Sequence, residues 1–131
     1  MFIGEYTHTV DEKNRFSLPA RFRKALGRKV VVTRGKDHCL FLYPIKVWLQ
    51  ISQEVESLGH VGSDERYARF TFSGASEIEI DSIGRILIPE FLRDFADLKS
   101  TIVITGVHDK VEIWNDKKWL TYRTKLESEY A

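Results

Sequence analysis

The sequence predicts an α+β domain in which one module of strands and short helices occurs twice. The central observation is an internal repeat, because residues 10–23 read VDEKNRFSLPARFR and residues 80–93 read IDSIGRILIPEFLR. The similarity continues downstream, with KVVVTRG (29–35) matching STIVITG (100–106) and CLFLYPIKVWL (39–49) matching KVEIWNDKKWL (110–120). A module of about seventy residues that occurs only twice predicts two halves around a pseudo-two-fold axis, not a solenoid.

Composition supports a folded chain. The 131 residues are 43% hydrophobic and 30% charged, which supplies a core for one domain or two very small ones. No apolar run approaches the roughly 20 residues that cross a bilayer, and the opening MFIGEYTHTVDEK lacks the basic-then-apolar layout of a secretory signal. The single cysteine, Cys39, excludes an intramolecular disulfide framework. We therefore expect a cytoplasmic protein.

Each half is predicted to run strand, turn, short strand, short helix, two strands and a longer helix. The β-branched runs VVVT and IVIT suit buried strands. Pro19 and Pro89 suit the first turn of a helix, where a fixed φ helps and no N–H is needed. This predicts helices over 19–26 and 89–96, with Gly27 ending the first.

Spacing predicts which helix faces are buried. The short helices pair Phe22 with Leu26 and Leu92 with Phe95. The longer helices carry the stripes Trp48, Ile51, Val55, Leu58 and Trp119, Tyr122, Leu126, Tyr130. We interpret these stripes as core packing, since none of them needs a ligand. The two glycines in GHVGSDER (59–66) indicate a linker. We therefore expect a first repeat over 1–58, a linker over 59–69 and a second repeat over 70–131, in one compact unit.

Positive charge is concentrated in the first half. Nine basic residues and no acidic residue lie in the stretch that contains Lys13, Arg15, Arg21, Arg23, Lys24, Arg28, Lys29, Arg34 and Lys36. A segregated positive surface is typical of a polyanion partner. A solvated basic face without a partner is the alternative, and charge alone does not separate the two.

The most constrained pattern is a turn of the form D-x-x-x-R. The two copies are Asp11 with Arg15 and Asp81 with Arg85. Asn14 occupies the place of Gly84, and both residue types tolerate a positive φ. We expect the aspartate to close the turn by accepting from backbone amides. The arginine then serves phosphate or guanine recognition, or, as the alternative, pairs with the aspartate inside the turn.

Other chemistries are disfavoured by the sequence. His8, His38, His60 and His108 lack the mutual spacing of metal ligands. No P-loop, G-x-G-x-x-G or G-x-S-x-G pattern occurs. Glu77, Glu79 and Asp81 alternate as on one solvent face of a strand. We expect no enzyme, no metal, no cofactor and no small-molecule substrate.

These motifs resemble the MraZ family of bacterial transcriptional regulators along essentially the whole chain. The resemblance rests on the opening MFIG, the turns at 11–15 and 81–85, the prolines that follow them, and LYP at 42–44. It implies a duplicated AbrB-like swapped-hairpin β-barrel and a homo-oligomeric ring that presents the turns to double-stranded DNA. It also implies action on promoter repeats of the division and cell wall gene cluster, in the cytoplasm and at the nucleoid.

Carried over residue by residue, the resemblance assigns DNA contact to the turns. The residues concerned are Lys13, Asn14, Arg15, Gly84 and Arg85, with Asp11 and Asp81 structuring the turns. The family usually has glycine where this chain has Asn14, whose side chain either hinders approach to DNA or adds a contact. Acidic residues at 77, 79 and 90 flank the second turn, so we expect Arg15 to matter more than Arg85.

A protein-binding role is the second hypothesis. AbrB-like domains also serve as the dimerising part of antitoxins, and the basic face would then engage an acidic protein. The sequence argues mildly against this, because both halves are predicted to be folded to their ends rather than to carry a disordered tail.

Overall fold

The computed structural model describes residues 1–60 and 65–131, without the side chains of 57–60. The strands are β1 (Glu5–Thr9), β2 (Arg15–Ser17), β3 (Lys29–Arg34), β4 (Leu40–Pro44), β5 (Ser76–Glu79), β6 (Arg85–Leu87), β7 (Thr101–Val107) and β8 (Lys110–Asn115). The helices are α1 (Ala20–Leu26), α2 (Ile45–His60), α3 (Glu65–Ser73), α4 (Glu90–Ala96) and α5 (Asp116–Tyr130). None of these described helices is long and apolar enough to cross a membrane.

The two halves are interleaved in one antiparallel sheet. Its order is β1-β7-β8-β4-β3-β5. The first strand of each half pairs with the third strand of the other half, β1 with β7 and β5 with β3. The centre of the sheet joins β4 to β8, where Phe41 faces Glu112. Exchanging each strand of one half for the equivalent strand of the other half gives the same order read from the opposite edge. This symmetry confirms the predicted α+β fold with a pseudo-two-fold axis.

The structure corrects one part of the sequence repeat by one residue. Val30 pairs with Ile78, and Ile102 pairs with His8. His8 and Ile78 hold equivalent places in the repeat, so Val30 corresponds to Ile102 and not, as the sequence alignment has it, to Thr101. Side chains alternate across a strand, and both Val30 and Ile102 are fully buried. Burial of equivalent side chains therefore fixes the register between β3 and β7, which the sequence alignment placed one residue away.

A short ribbon of β2 and β6 covers one face of the sheet. Phe16 pairs with Ile86 at its centre, and both side chains are buried in the main core. The same core contains inward residues of the large sheet, of the short helices and of the segments just before those helices: Leu18, Phe22, Leu26, Val30, Val32, Leu40, Leu42, Ile88, Leu92, Ile102, Ile104, Val111 and Ile113. Burial of this one apolar face in two layers is what holds the ribbon in place.

The short helices each begin one residue later than predicted. Pro19 and Pro89 lie at the N-cap with φ of −54°, and their carbonyls accept the first helical hydrogen bonds. Gly27 ends α1 at a φ of 81°, as predicted. The N-cap position suits proline because it needs a free carbonyl and no amide.

The predicted apolar pairs of the short helices both contact the main core. The pair in α1 is buried, and in α4 Leu92 and Ala96 are buried while Phe95 packs against the same core and is partly buried. Phe95 also packs against Phe70 of α3, with ring centroids 5.8 Å apart, and stacks with His38 at 5.4 Å. Spacing alone did not reveal a second neighbour on that side of the helix.

Helix α3 lies partly within the predicted linker. Residues 61–64 of that linker fall outside the described residues, but α2 extends to His60 and α3 begins at Glu65. Long-range hydrogen bonds hold α3: Thr33 Oγ1 donates to the Thr71 carbonyl at 2.6 Å, and Arg34 Nη1 donates to the Phe70 carbonyl at 2.9 Å. These partners are distant in sequence, so local composition did not predict the helix.

Candidate nucleic-acid interface

The first turn is closed by its aspartate. Asp11 Oδ1 accepts the backbone N–H groups of Lys13 and Arg15, each at 2.9 Å. Asp11 Oδ2 accepts Arg15 Nε at 3.0 Å. Asn14, the residue before the arginine, has a φ of 63°, in the predicted left-handed region. One carboxylate therefore fixes both the backbone of the turn and the direction of the arginine.

The second turn has the same construction. Asp81 accepts the backbone N–H groups of Ile83 at 3.1 Å and Arg85 at 2.8 Å, and Arg85 Nε at 2.7 Å. Gly84 has a φ of 88°. The aspartate–arginine pair proposed as an alternative use is thus present in both turns. It engages Nε, and no described residue hydrogen-bonds to the terminal nitrogens of Arg15 or Arg85, so pairing and outward recognition are compatible.

Both turn carboxylates are ionised at neutral pH. The backbone N–H of Arg15 is the largest cause that lowers the pKa of Asp11, and the backbone N–H of Arg85 does the same for the pKa of Asp81. The guanidinium groups act in the same direction. Hydrogen bonds to the charged form of a carboxyl favour that form. The turns therefore keep their geometry near pH 7.

The ribbon places both arginines on one outer surface. Arg15 pairs with Leu87 and Arg85 pairs with Ser17, while the Phe16–Ile86 pair between them points inward. The arginines are thus diagonal neighbours, with α-carbons about 8 Å apart from the usual strand spacing and rise. The major groove of B-DNA, about 12 Å wide, admits a two-stranded β-ribbon.

Only part of the basic stretch surrounds this surface. Lys13 in the first turn and Arg21 and Lys24 on α1 are exposed. Arg34 is used inside the fold, where it binds the Phe70 carbonyl and lies 5.4 Å from the centroid of that ring. Lys36 lines a cavity on the far side of the large sheet. The nine basic residues therefore do not form one face, and the sequence overstated the size of the positive surface.

The two turns differ in the side chains around them. The positions of Lys13, Ser17 and Arg21 in the first repeat, of which Ser17 is half-buried and the other two are exposed, are held by Ile83, Leu87 and Phe91 in the second. Those three apolar side chains are 58%, 50% and 45% exposed, respectively. The first turn therefore has basic side chains of its own, whereas the positive charge beside the second turn comes from Arg23 and Arg28 of the first repeat.

Arg23 is a residue of this surface that the sequence analysis did not single out. Its Nε donates to the Leu18 carbonyl at 2.9 Å, and a side chain at Gly84 would clash with its guanidinium. Gly84 is consequently buried beneath Arg23, while Asn14 at the equivalent place is exposed. The available signal was the repeat itself, since Arg93 matches Arg23 and likewise donates to the Ile88 carbonyl, at 3.0 Å.

Two of the four histidines lie in turns between strands. His38 and His108 adopt φ of 63° and 64° where β3 turns into β4 and β7 turns into β8. Within residues 1–60 and 65–131, no group of three or more His, Cys, Asp or Glu side chains is placed to hold a metal ion.

Two interleaved halves, each with an arginine turn before a short strand and a short helix, define a duplicated AbrB-like swapped-hairpin fold. A family model described as "MraZ protein, putative antitoxin-like" matches residues 1–70 and again residues 71–130. The chain belongs to the MraZ family.

Relatives match along almost the whole chain. A protein of Moorella thermoacetica named "Transcriptional regulator MraZ" is 47% identical over 131 residues, which cover 99% of this chain and 92% of the relative. Proteins of the same name from Desulfitobacterium hafniense (strain DSM 10664 / DCB-2) and Carboxydothermus hydrogenoformans are 46% and 45% identical, covering 100% and 99% of this chain and 92% of each relative. The relatives that match almost the whole of this chain are therefore proteins named as transcriptional regulators.

Proposed function

We propose that this protein is a DNA-binding transcriptional regulator that reads promoter repeats of the division and cell wall gene cluster through its arginine-bearing turns. The observation that carries the proposal is the pair of rigid turns on one outer face of a two-stranded ribbon. The names of its relatives supply the regulatory role.

The first turn is the principal contact in this proposal. Asp11 holds Arg15 by Nε, so the terminal nitrogens are left for two parallel hydrogen bonds to a phosphate or to guanine. A side chain held in advance loses less conformational entropy when it binds. Lys13 and Asn14 are exposed beside Arg15 and add contacts from the same turn.

The second turn has a smaller role. Arg85 is presented in the same manner as Arg15, but Ile83 and Leu87 of its own turn and strand contribute no positive charge, and the cation beside this turn is Arg23, which is held by the Leu18 carbonyl. Gly84 acts mainly through geometry, because it permits the positive φ and leaves room for Arg23. Arg15→Ala should therefore weaken DNA binding more than Arg85→Ala does.

Oligomerisation belongs to the same proposal. One pair of turns makes few contacts, so a single copy of the chain would bind a short site weakly. Several copies in a ring raise the effective concentration of turns along tandem repeats, and the repeat spacing becomes the unit of recognition. Light scattering at the concentration where DNA binding saturates should find an oligomer, and a monomer there would refute the ring.

The decisive experiment is fluorescence anisotropy with a duplex from the protein's own upstream region and a scrambled duplex. Wild type, Arg15→Ala and Arg85→Ala are titrated at about 50 and about 200 mM salt. Arg69→Ala is the matched control, since it removes the same charge from an exposed site on α3. Sequence-dependent binding that Arg15→Ala weakens most and Arg69→Ala leaves intact supports the proposal. Equal losses from Arg15→Ala and Arg85→Ala would contradict the charge argument.

An antitoxin-type protein-binding module is the alternative, and the family description itself includes the word antitoxin. The dependence of binding on salt concentration distinguishes DNA binding from protein binding. Binding through phosphates falls linearly on a log–log plot against salt, with a slope set by the number of phosphates neutralised. Weak binding that is equal for both duplexes would favour the protein-binding alternative.

A further inference from the structure

A second concave site lies on the face of the large sheet that points away from the turns. A cavity of about 850 Å³ is bounded there by the sheet, α2, α3 and α5. Alternation along the strands separates it from the main core, because Leu40 and Leu42 point into that core while Phe41 between them lines the cavity. Cavities of roughly 300–1,000 Å³ are typical of small-molecule sites.

Aromatic side chains form most of its walls. They are Phe41, Tyr43 and Trp114 from the sheet, Trp119 and Tyr122 from α5, and Tyr67 from α3. Trp114 stacks on Tyr122 with ring centroids 5.2 Å apart and lies 5.2 Å from Trp119. Trp119 and Tyr122 of the α5 stripe pack against the buried cluster that contains Trp114, as predicted, and also border the cavity, while Tyr130 at the end of the stripe is 86% exposed.

A desolvated carboxylate lies among these rings. Glu112 occupies the centre of the β4–β8 pairing, and Trp114 Nε1 donates to it at 3.1 Å. Burial raises the pKa of Glu112, while the Trp114 hydrogen bond and the nearby Lys110 ammonium group act in the opposite direction. Among the ion pairs of the described residues, none joins Glu112 to a cation.

The charged residues of the lining favour a cation. They are Glu5, Asp37, Glu54 and Glu112 against Lys36 and Lys110. Glu5 is already paired with Arg123 at 2.7 Å, which leaves more carboxylates than ammonium groups. Lys110 Nζ lies 4.8 Å from the centroid of the Phe41 ring, so one face of this wall already accepts an ammonium group.

We propose that this cavity binds an organic cation with an apolar body, such as an alkylammonium compound, with its charge beside Glu112 and the surrounding rings. The rings attract the cation through their negative faces and bury its alkyl part, while Glu112 supplies the counter-charge. The site draws on both halves of the chain, because α2 belongs to the first repeat and α5 to the second. The proposal is independent of DNA binding by the turns.

Three probes with the same alkyl chain test the charge preference. Hexyltrimethylammonium, hexanol and hexanesulfonate are titrated into the full-length wild-type protein, with tryptophan fluorescence and calorimetry as readouts. We expect saturable binding of one cation per chain, at least about tenfold tighter than the alcohol, and no binding of the sulfonate. Equal affinity for cation and alcohol, tighter binding of the sulfonate, or no saturable binding of the cation would each overturn the proposal.

Variants locate the site. Glu112→Gln keeps an acceptor for Trp114 Nε1 but removes the charge. The affinity for the cation should fall by about tenfold, and the affinity for the alcohol should not change. Glu127→Gln, at an exposed position of α5, removes the same charge and should change neither affinity. Far-UV circular dichroism and DNA anisotropy confirm that each variant is folded. Unchanged cation affinity in Glu112→Gln would refute the assignment, and the wild-type comparison decides the question if that variant does not fold.

Discussion

Gly84→Ala tests whether the second turn is held in place by Arg23. Two costs add at this position. A left-handed φ, here 88°, costs a residue other than glycine about 1–2 kcal/mol. The new methyl group would also clash with the Arg23 guanidinium, which must move away.

The second cost follows from what Arg23 loses. Arg23 is a flexible side chain, so the clash is relieved by rotation, but rotation gives up its hydrogen bond of 2.9 Å to the Leu18 carbonyl. A hydrogen bond from a charged group contributes about 1.5–3 kcal/mol, and partial burial puts this one near the lower end. The free energy of unfolding should therefore fall by about 2.5–4 kcal/mol in Gly84→Ala.

A double-mutant cycle separates the two costs. Urea unfolding is followed by circular dichroism at one fixed protein concentration, because assembly would otherwise shift the midpoint. In the Arg23→Ala background, Gly84→Ala should cost only the backbone part, about 1–2 kcal/mol. Additivity within about 0.5 kcal/mol would refute the contact between Arg23 and Gly84.

The remaining predictions concern the turns. Asp11→Ala makes the protein more positive, yet should weaken DNA binding in the anisotropy assay by about tenfold, because Arg15 loses its hydrogen-bond partner; tighter binding would mean that net charge and not geometry governs recognition. Asn14→Gly should change the free energy of unfolding by less than about 1 kcal/mol, since both residues tolerate the left-handed φ of 63°. It should nevertheless weaken DNA binding, and full affinity would exclude a side-chain contact at this position. Because the pKa values of Asp11 and Asp81 are lowered in the folded state, their stabilisation is complete above the usual carboxyl value of 3.8 and is lost as the pH falls through the lower folded pKa. Urea titrations of wild type and Asp11→Asn from neutral to strongly acidic pH measure this loss, which should be smaller in the variant; identical pH profiles would contradict it.

The turns were predictable because their interactions are local. The carboxylate of Asp11 reaches amides two and four residues ahead, and a residue tolerant of positive φ stands just before the arginine. Such short-range hydrogen bonds depend on the order of a few consecutive residues. The repetition of this order at Asp81 also predicted two halves with one backbone design.

The uses of individual arginines were not predictable in the same way. Arg15, Arg23 and Arg34 lie in one basic stretch and look alike in sequence, but Arg34 binds a carbonyl of α3 and Arg23 packs on Gly84 of the other half. Each of these partners is more than thirty residues away along the chain. Their contacts depend on the interleaving of strands, which places β1 beside β7 and β5 beside β3.

The sequence by itself determined the duplicated α+β module, the two arginine turns and the concentration of positive charge in the first half, because local hydrogen bonds and apolar periodicity are written in neighbouring residues. Only the tertiary structure decided how the halves interleave, which arginines remain available, and that the aromatic residues of α5 that pack against a buried cluster also border a cavity. The physical reason is that packing depends on which surfaces meet across the whole chain, and a helical stripe is the same in sequence whether its neighbour fills the space or leaves it open.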